Sequence, residues 1–170
     1  TRARGRVTKP SGRFRAIQSG VLRPRRTRCV RCRVTHVLLP VTVLARRGYA
    51  VAVIGAAVMA RAEGSGHRRI GQQLGVPAAT VRGWLRRLAG RLEPARVFWL
   101  QVAVRAGVDI GVPDARGCPW RDLLAALELA TAAVRGRFGP AGVLGPVTDW
   151  QVAAATTGGR LLTPRWAPIE

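Results

Sequence analysis

Three arginines, Arg82, Arg86 and Arg87, carry side chains that suit the binding of nucleic acid. A guanidinium group donates paired hydrogen bonds to O6 and N7 of guanine or to the oxygens of a phosphate. Arg82 and Arg86 are four residues apart, so in a helix they lie on one face and could enter a groove together. The spacing therefore predicts a cationic helical face that contacts double-stranded DNA.

Cys29 and Cys32 form a CxxC pair in the segment RRTRCVRCRVTHVLLP. Two thiolates at this spacing on the turn of a short hairpin can hold half of a tetrahedral zinc site. The other half needs further ligands, and His36, His67 and Cys118 are scattered along the chain. The alternative is a pair of ordinary thiols in an incomplete ribbon. A redox pair is disfavoured because no thioredoxin-like βαβ pattern surrounds it.

The carboxylates that follow the arginines do not form a recognisable catalytic set. A two-metal nuclease needs three carboxylates on a mixed sheet, whereas the 80 residues 91–170 are few and have helical patterns. The candidates are Glu93, Asp109, Asp114, Asp122, Glu128, Asp149 and Glu170. The sequence also contains no nucleophile motif, phosphate-binding glycine loop or HExxH. We therefore expect no catalytic residues and no enzymatic activity.

The segment His67–Arg87, HRRIGQQLGVPAATVRGWLRR, predicts the element that positions the arginines: two helices joined by a tight turn. Gly71 is small enough to let the helices pack closely, and Gly75 can adopt the left-handed conformation of a sharp turn. Pro77 suits the first turn of the second helix. The predicted buried seam comprises Ile70, Leu74, Val76, Val81, Trp84, Leu85 and Leu88.

The opposite face of the second helix carries small residues and cations, as in a helix-turn-helix motif. Ala78 and Ala79 could approach base edges or thymine methyl groups, while Arg68 and Arg69 could contact the backbone. The predicted DNA-binding residues are Arg68, Arg69, Pro77, Ala78, Ala79, Thr80, Arg82, Gly83, Arg86 and Arg87. The alternative is a hairpin of a helical bundle whose arginines only solvate an outer face.

Positive charge is concentrated at the start of the 170-residue chain, whose formal net charge is +21. Residues 1–50 hold 14 Arg or Lys and no acid, residues 51–100 hold 8 against 2, and residues 101–170 hold 7 against 6. A solvated surface does not need such a gradient, whereas a polyanionic partner would be attracted by it. The distribution indicates nucleic acid as the partner.

Three regions are predicted along the chain: a basic arm with a partial CxxC ribbon (1–45), a helix-turn-helix DNA-binding domain (46–92) and a helical C-terminal region (93–170). Strands or extended segments are predicted near Gly20–Arg28 and Val37–Ala45. Further helices are predicted over Tyr49–Glu63, with Met59 available for packing, Pro94–Gly107, Pro119–Phe138, with Phe138 on the buried side, and Thr148–Thr157. The tail LLTPRWAPIE is predicted to be extended. The fold class is mainly α, with a short β or extended basic N-terminal segment.

The cysteines and the apolar runs suggest a compartment. Three cysteines, unevenly placed, do not make a disulfide framework, which favours a reducing environment. The longest apolar run, Tyr49–Ala60, has 12 residues and is too short to cross a bilayer. We expect a cytoplasmic, nucleoid-associated protein without a membrane partner.

The segment RRTRCVRCRVTHVLLP followed by GHRRIGQQLGVPAATVRGWLRR resembles the amino-terminal region of insertion-sequence transposases of the zinc-ribbon/helix-turn-helix kind. It is also similar to a family of actinobacterial proteins that share this layout and look transposase-derived. The likeness covers about residues 22–90. In such families an upstream CxxC completes the zinc ribbon with a downstream one, which the resemblance places at Cys29 and Cys32. Residues 1–28 contain no cysteine.

These observations together predict a DNA-binding protein of the helix-turn-helix type, transposase-related or a transcriptional regulator, without a catalytic domain of its own. The C-terminal helices would serve packing or the formation of a homodimer. Two alternatives stay open: a helical interaction module with incidental basicity, and a protein that binds RNA non-specifically through its arginine-rich arm.

Overall fold

A computed structural model describes residues 25–107, 111, 113–142, 145–164 and 166. The described part is mainly helical, which confirms the predicted class. Its helices are α1 (Val51–Ala62), α2 (His67–Leu74), α3 (Ala78–Ala89), α4 (Leu92–Arg105), α5 (Pro119–Phe138) and α6 (Asp149–Thr156). Its strands are β1 (Arg25–Arg28), β2 (Thr35–Leu38), β3 (Ala141–Gly142) and β4 (Gly145–Pro146). None of the helices among these residues is long and apolar enough to cross a membrane.

Strands β1 and β2 form an antiparallel hairpin in which Arg25 pairs with Leu38 and Arg28 with Thr35. The first strand was expected near Gly20–Arg28, of which 20–24 lie outside the described residues. Val37–Ala45 was predicted to be a strand or an extended segment, and of these residues only Val37 and Leu38 lie in β2. β2 begins earlier and ends before Pro40, which has no N–H to donate to a ladder. Turns and an isolated bridge between Val43 and Ala50 follow.

Helices α1, α2 and α3 pack together around a buried seam. Ile54, Val58, Ile70, Val81 and Leu88 are at most 1% exposed. Gly75 ends α2 in the left-handed conformation, with φ 63° and ψ 30°, so the predicted turn is confirmed. Pro77 precedes α3 as its N-cap residue and is not its first helical residue.

The exposed side of α1 corrects one expectation from the sequence. Met59 was available for packing but is 49% exposed, because its neighbours Ala57 and Val58 face the core. The same helix is held against α6 by close packing. A Cβ at Gly55 would overlap the indole ring of Trp150.

Helices α4, α5 and α6 bury mostly alanine, leucine and tryptophan. Trp99, Leu123 and Ala130 are fully buried. Phe138, predicted on the buried side of α5, is 73% exposed, because it is the last helical residue and the chain turns away at Gly139. Thr148 caps α6, as predicted: its hydroxyl accepts from the backbone N–H of Gln151, and the Gln151 side chain accepts from the backbone N–H of Thr148.

The C-terminal segment contradicts the prediction of an extended tail. Residues 161–164 form turns, and Leu161 and Leu162 are each 1% exposed. Trp166 packs edge-on against Phe98, with ring centroids 5.7 Å apart. Burial of the apolar side chains in this segment stabilises the turned conformation, because an extended chain would leave them exposed to water.

One hydrophobic core gathers buried side chains from Leu44 to Trp166. It includes residues of both the predicted DNA-binding segment (46–92) and the predicted C-terminal region (93–170). Because α1 packs against α5 and α6 as well as against α2 and α3, it links the two groups of helices. The α2–α3 pair is thus mounted on a larger helical body.

Candidate nucleic-acid interface

The candidate interface centres on α3, whose two faces differ in chemistry. Its inner face buries Val81, Trp84, Leu85 and Leu88. Positions spaced three and four residues apart share a helix face, so the opposite face consists of Ala79, Arg82, Gly83 and Arg86. At 1.5 Å per residue, α3 is about 18 Å long, a rod of the size that a DNA major groove admits.

Close packing of α2 fixes the orientation of α3. A Cβ at Gly71 would lie 2.6 Å from the Val76 carbonyl oxygen and 3.1 Å from the Cα of Ala78. Only glycine permits this approach, as expected from the sequence. On the other side Tyr49 packs edge-on against Trp84, with ring centroids 5.1 Å apart. The inner face of α3 is therefore fixed from two directions, which fixes its outer face.

The structure leaves all the predicted contact residues of α2, α3 and the turn between them outside the core. Seven are exposed: Arg68, Arg69, Pro77, Ala79, Arg82, Arg86 and Arg87. Three are partly buried: Ala78, Thr80 and Gly83. None of the ten lies in the core. Arg87 differs from the other arginines because its Nη1 folds back along α3 and donates to the Gly83 carbonyl at 2.9 Å.

Most arginines of the α2–α3 pair make no side-chain bonds with other described residues. Arg68, Arg69, Arg82 and Arg86 make no side-chain hydrogen bond or ion pair with another described residue. Arg105 and Arg160 share this property, so an unpaired arginine alone marks no site. The surroundings differ, because residues 25–92 hold 14 arginines and a single acid, Glu63.

The hairpin before α1 adds further exposed cations. Arg25, Arg26, Arg28, Arg31 and Arg33 are all exposed. Arg33 has a positive φ of 61°, and its carbonyl accepts from Nε of Arg28 at 3.0 Å. The hairpin therefore presents a basic ribbon, whereas the rest of the predicted arm, 1–24, lies outside the described residues.

Sequence reasoning missed Arg47, which lies two residues before Tyr49 in the loop that packs against Trp84 of α3. Partial burial and then the charge of Arg87 lower the pKa of Arg47 from its usual value. The sequence shows two adjacent arginines, Arg46 and Arg47. It does not indicate that the loop containing them lies beside the end of α3. Only the packing of Tyr49 on Trp84 reveals it.

Cys29 and Cys32 lie on the turn of the β1–β2 hairpin, as predicted. The Cys29 N–H donates to the Val34 carbonyl at 2.9 Å, and the Arg33 N–H donates to the Cys29 carbonyl at 2.9 Å. The backbone N–H of Cys32, then its thiol and the N–H of Arg31, lower the pKa of Cys29, which favours the thiolate that metals bind.

These thiols alone do not fit a complete zinc site. Tetrahedral zinc takes four ligands, and no group of three His, Cys, Asp or Glu side chains gathers for a metal anywhere in the described residues. Cys118 is a separate thiol before α5. The hairpin supplies two thiols, and zinc binding stays a prediction.

The carboxylates between α4 and α5 line a cavity of about 350 Å³ with Arg96. Two of them are already engaged within the fold. Glu93 accepts two hydrogen bonds from Arg96, at 2.7 and 2.8 Å, and Asp122 accepts from the backbone N–H of Arg116 at 2.6 Å. Two of the three carboxylates that line the cavity therefore have partners within the fold, and the third is Asp114.

A comparison with models of known protein families found no match, and comparisons with curated proteins and with solved structures found none either.

Proposed function

We propose that this chain is a double-stranded DNA-binding protein of the helix-turn-helix type, in which α3 enters the major groove. The observation that carries the proposal is the outer face of α3. Arg82 and Arg86 are exposed there, have no partner among the described residues, and are fixed in direction by the buried seam behind them.

In this proposal the two arginines of α3 read bases or phosphates and the small residues permit close approach. Arg82 and Arg86 lie four residues apart on one face, and Ala79 and Gly83 leave room between them for base edges. Arg68, Arg69 and the basic hairpin contact the phosphate backbone and supply affinity without sequence preference. Direct readout is sparse, because Ala79 and Gly83 offer no side-chain donors.

The proposed protein acts without a catalytic domain of its own, as a transposase-derived DNA-binding protein or a transcriptional regulator associated with the nucleoid. The charge distribution supports this role. The α2–α3 side is nearly free of acids, whereas the acids of the described residues other than Glu63 lie on α4, α5, α6 and the segments that join them.

The test is selection of duplexes from a random-sequence pool, followed by binding measurements at several salt concentrations. We expect one motif to be enriched by the wild-type chain and lost in Arg82→Ala and Arg86→Ala. Each substitution should cost about 1–3 kcal/mol of specific binding if the arginine contacts a guanine. Arg105→Ala, an exposed and unpaired arginine on α4, is the matched control. Equal losses in all three variants, or no motif, would contradict the proposal.

A helical interaction module or homodimer is the second candidate, and a specific observation favours it. Val97 and Val104 lie seven residues apart on α4 and are 40% and 69% exposed, and Phe138 of α5 is also exposed. Sedimentation equilibrium tests this alternative. A dimer that dissociates in Val104→Asp, with unchanged thermal stability of the monomer, would support it.

A further inference from the structure

Arg47 lies where the loop before α1 meets the carboxyl end of α3. Leu44 anchors this loop in the core, and the N–H of Ala45 donates to the Gly159 carbonyl at 2.7 Å. Two residues after Arg47, Tyr49 packs on Trp84, one turn of α3 before Arg87. The backbone of Arg47 is therefore held beside the last turn of α3.

The Arg47 guanidinium is partly buried but incompletely satisfied. Its Nη2 donates to the Leu162 carbonyl at 2.6 Å, while its Nε is buried and has no hydrogen-bond partner among the described residues. No carboxylate in the described part of the chain pairs with it, since the one ion pair there joins Arg96 to Glu93. Its remaining nitrogen, Nη1, makes no hydrogen bond with another described residue and is the donor left for an incoming acceptor.

Arg87, three residues after Trp84, places a second positive charge on the last turn of α3, which the loop contacts through Tyr49. It is exposed, and its one side-chain hydrogen bond within the described residues uses Nη1 alone. Partial burial, and after it the charge of Arg87, lowers the pKa of Arg47. An anion bound between two such guanidinium groups would relieve their repulsion and supply acceptors to both.

We propose that Arg47 and Arg87 together bind a phosphate group of the duplex backbone at the carboxyl end of α3. This inference rests on the proposed function for the choice of a duplex, but the phosphate site itself does not. It adds Arg47, outside α2 and α3, to the contact surface. The site orients the end of α3 on the backbone, while Arg82 and Arg86 face the groove.

The C-terminal segment orients the Arg47 side chain through a hydrogen bond. Leu162, Thr163 and Pro164 present successive carbonyls, the first to Arg47 and the next two to Nη1 and Nη2 of Arg91 at 2.5 and 2.6 Å. A guanidinium held by such a bond loses less conformational entropy when it binds an anion.

Inorganic phosphate tests the site without DNA. We expect phosphate to raise the melting temperature of the full chain more than sodium chloride does at equal ionic strength. Because phosphate also stabilises proteins in general, the variants decide the result. The shift should fall in Arg87→Gln and Arg47→Gln and stay unchanged in Arg105→Gln. Arg87 is exposed, so its variant does not depend on refolding of the loop. An equal shift in all chains would overturn the site.

Duplex binding tests the partner. The negative slope of the logarithm of the binding constant against the logarithm of the salt concentration should decrease in magnitude by about 1 in Arg47→Gln, in Arg87→Gln and in the double variant. The effect should not double in the last, because both arginines bind the same phosphate. The loss should be the same for all duplex sequences. A wild-type slope in the double variant would overturn the inference while the proposed function stands. If the wild-type chain binds no duplex, the proposed function fails and the phosphate measurement decides the anion site by itself.

Discussion

The α2–α3 pair and the α4–α5 pair each pack around a buried seam, but most of their arginines are used differently. In the α2–α3 pair, Arg68, Arg69, Arg82 and Arg86 have no partner among the described residues. In the α4–α5 pair, four arginines donate hydrogen bonds to other residues of the fold. They are Arg96 to Glu93, Arg121 to the Ala62 carbonyl, Arg135 to the Val147 carbonyl and Arg137 to the Ala106 carbonyl.

The segments that join the two helices of each pair also differ, in length. Three residues, Gly75–Pro77, join α2 to α3, and Gly71 lets the backbones nearly touch. Thirteen residues, 106–118, join α4 to α5, whose seam is built from a tryptophan and several alanines. The α2–α3 pair thus supports an exposed cationic face, whereas the α4–α5 pair supplies about a third of the buried hydrophobic core. Stability and the proposed binding should therefore separate when the two pairs are mutated.

Removal of Trp99 from the α4–α5 pair should have the largest effect on stability. The side chain is fully buried, and Trp99→Ala should lower the free energy of unfolding by about 3–5 kcal/mol because a large cavity replaces it. Urea unfolding followed by circular dichroism measures this loss. Val104→Ala on the same helix is the control and should stay within about 0.5 kcal/mol. Similar losses in both would contradict the placement of the seam.

The same substitution at two glycines of the α2–α3 pair should have opposite effects. Gly71→Ala should cost about 1–3 kcal/mol, because the new methyl group would press on the backbone of Val76 and Ala78. Gly83→Ala should stabilise the chain by up to about 1 kcal/mol, since it removes a glycine from a helix interior. Its Cβ would meet only Nη1 of Arg87, at 3.0 Å, and this exposed side chain can move aside by giving up its hydrogen bond to the Gly83 carbonyl.

Thermal and urea unfolding of the two variants decide this prediction. Gly83→Ala should also weaken duplex binding if α3 approaches the groove closely, although the fold gains stability. A destabilised Gly83→Ala chain would show that the outer face of α3 is not free of packing within the protein.

Arginine removal tests the comparison directly. Arg121→Ala should cost about 1 kcal/mol, because Nε of Arg121 donates at 3.2 Å to the Ala62 carbonyl at the end of α1, where a cation also favours the helix dipole. Arg82→Ala should change the free energy of unfolding by less than about 0.5 kcal/mol. Differential scanning calorimetry at matched salt measures both. If Arg82→Ala were the more damaging of the two, its guanidinium would belong to the fold.

The turn and the seam of the α2–α3 pair could be predicted from the sequence because the constraints there are local. Gly71, Gly75 and the apolar spacing act over one or two helical turns. The C-terminal tail could not be predicted, because the burial of Leu161, Leu162 and Trp166 depends on partners far along the chain. Arg47 was missed for the same reason, since its neighbour Arg87 is 40 positions away.

The ion pair between Glu93 and Arg96 should have the smallest effect and a defined pH dependence. Hydrogen bonding by Arg96 lowers the pKa of Glu93 below its ordinary value of 4.5. An acid with a lowered pKa in the folded state stabilises the fold above its unfolded pKa, and this stability disappears as the pH falls through the lowered value. Because the pair is largely solvent-exposed, Glu93→Gln should cost only about 0.5 kcal/mol at pH 7. Urea midpoints of the variant and the wild type should therefore converge when the pH is brought well below 4.5, with Glu128→Gln, which removes an exposed carboxylate without an ion pair among the described residues, as the control. A difference that persists at low pH would mean that Glu93 acts through packing. The ion pair between Glu93 and Arg96 would then contribute little to the stability of the fold.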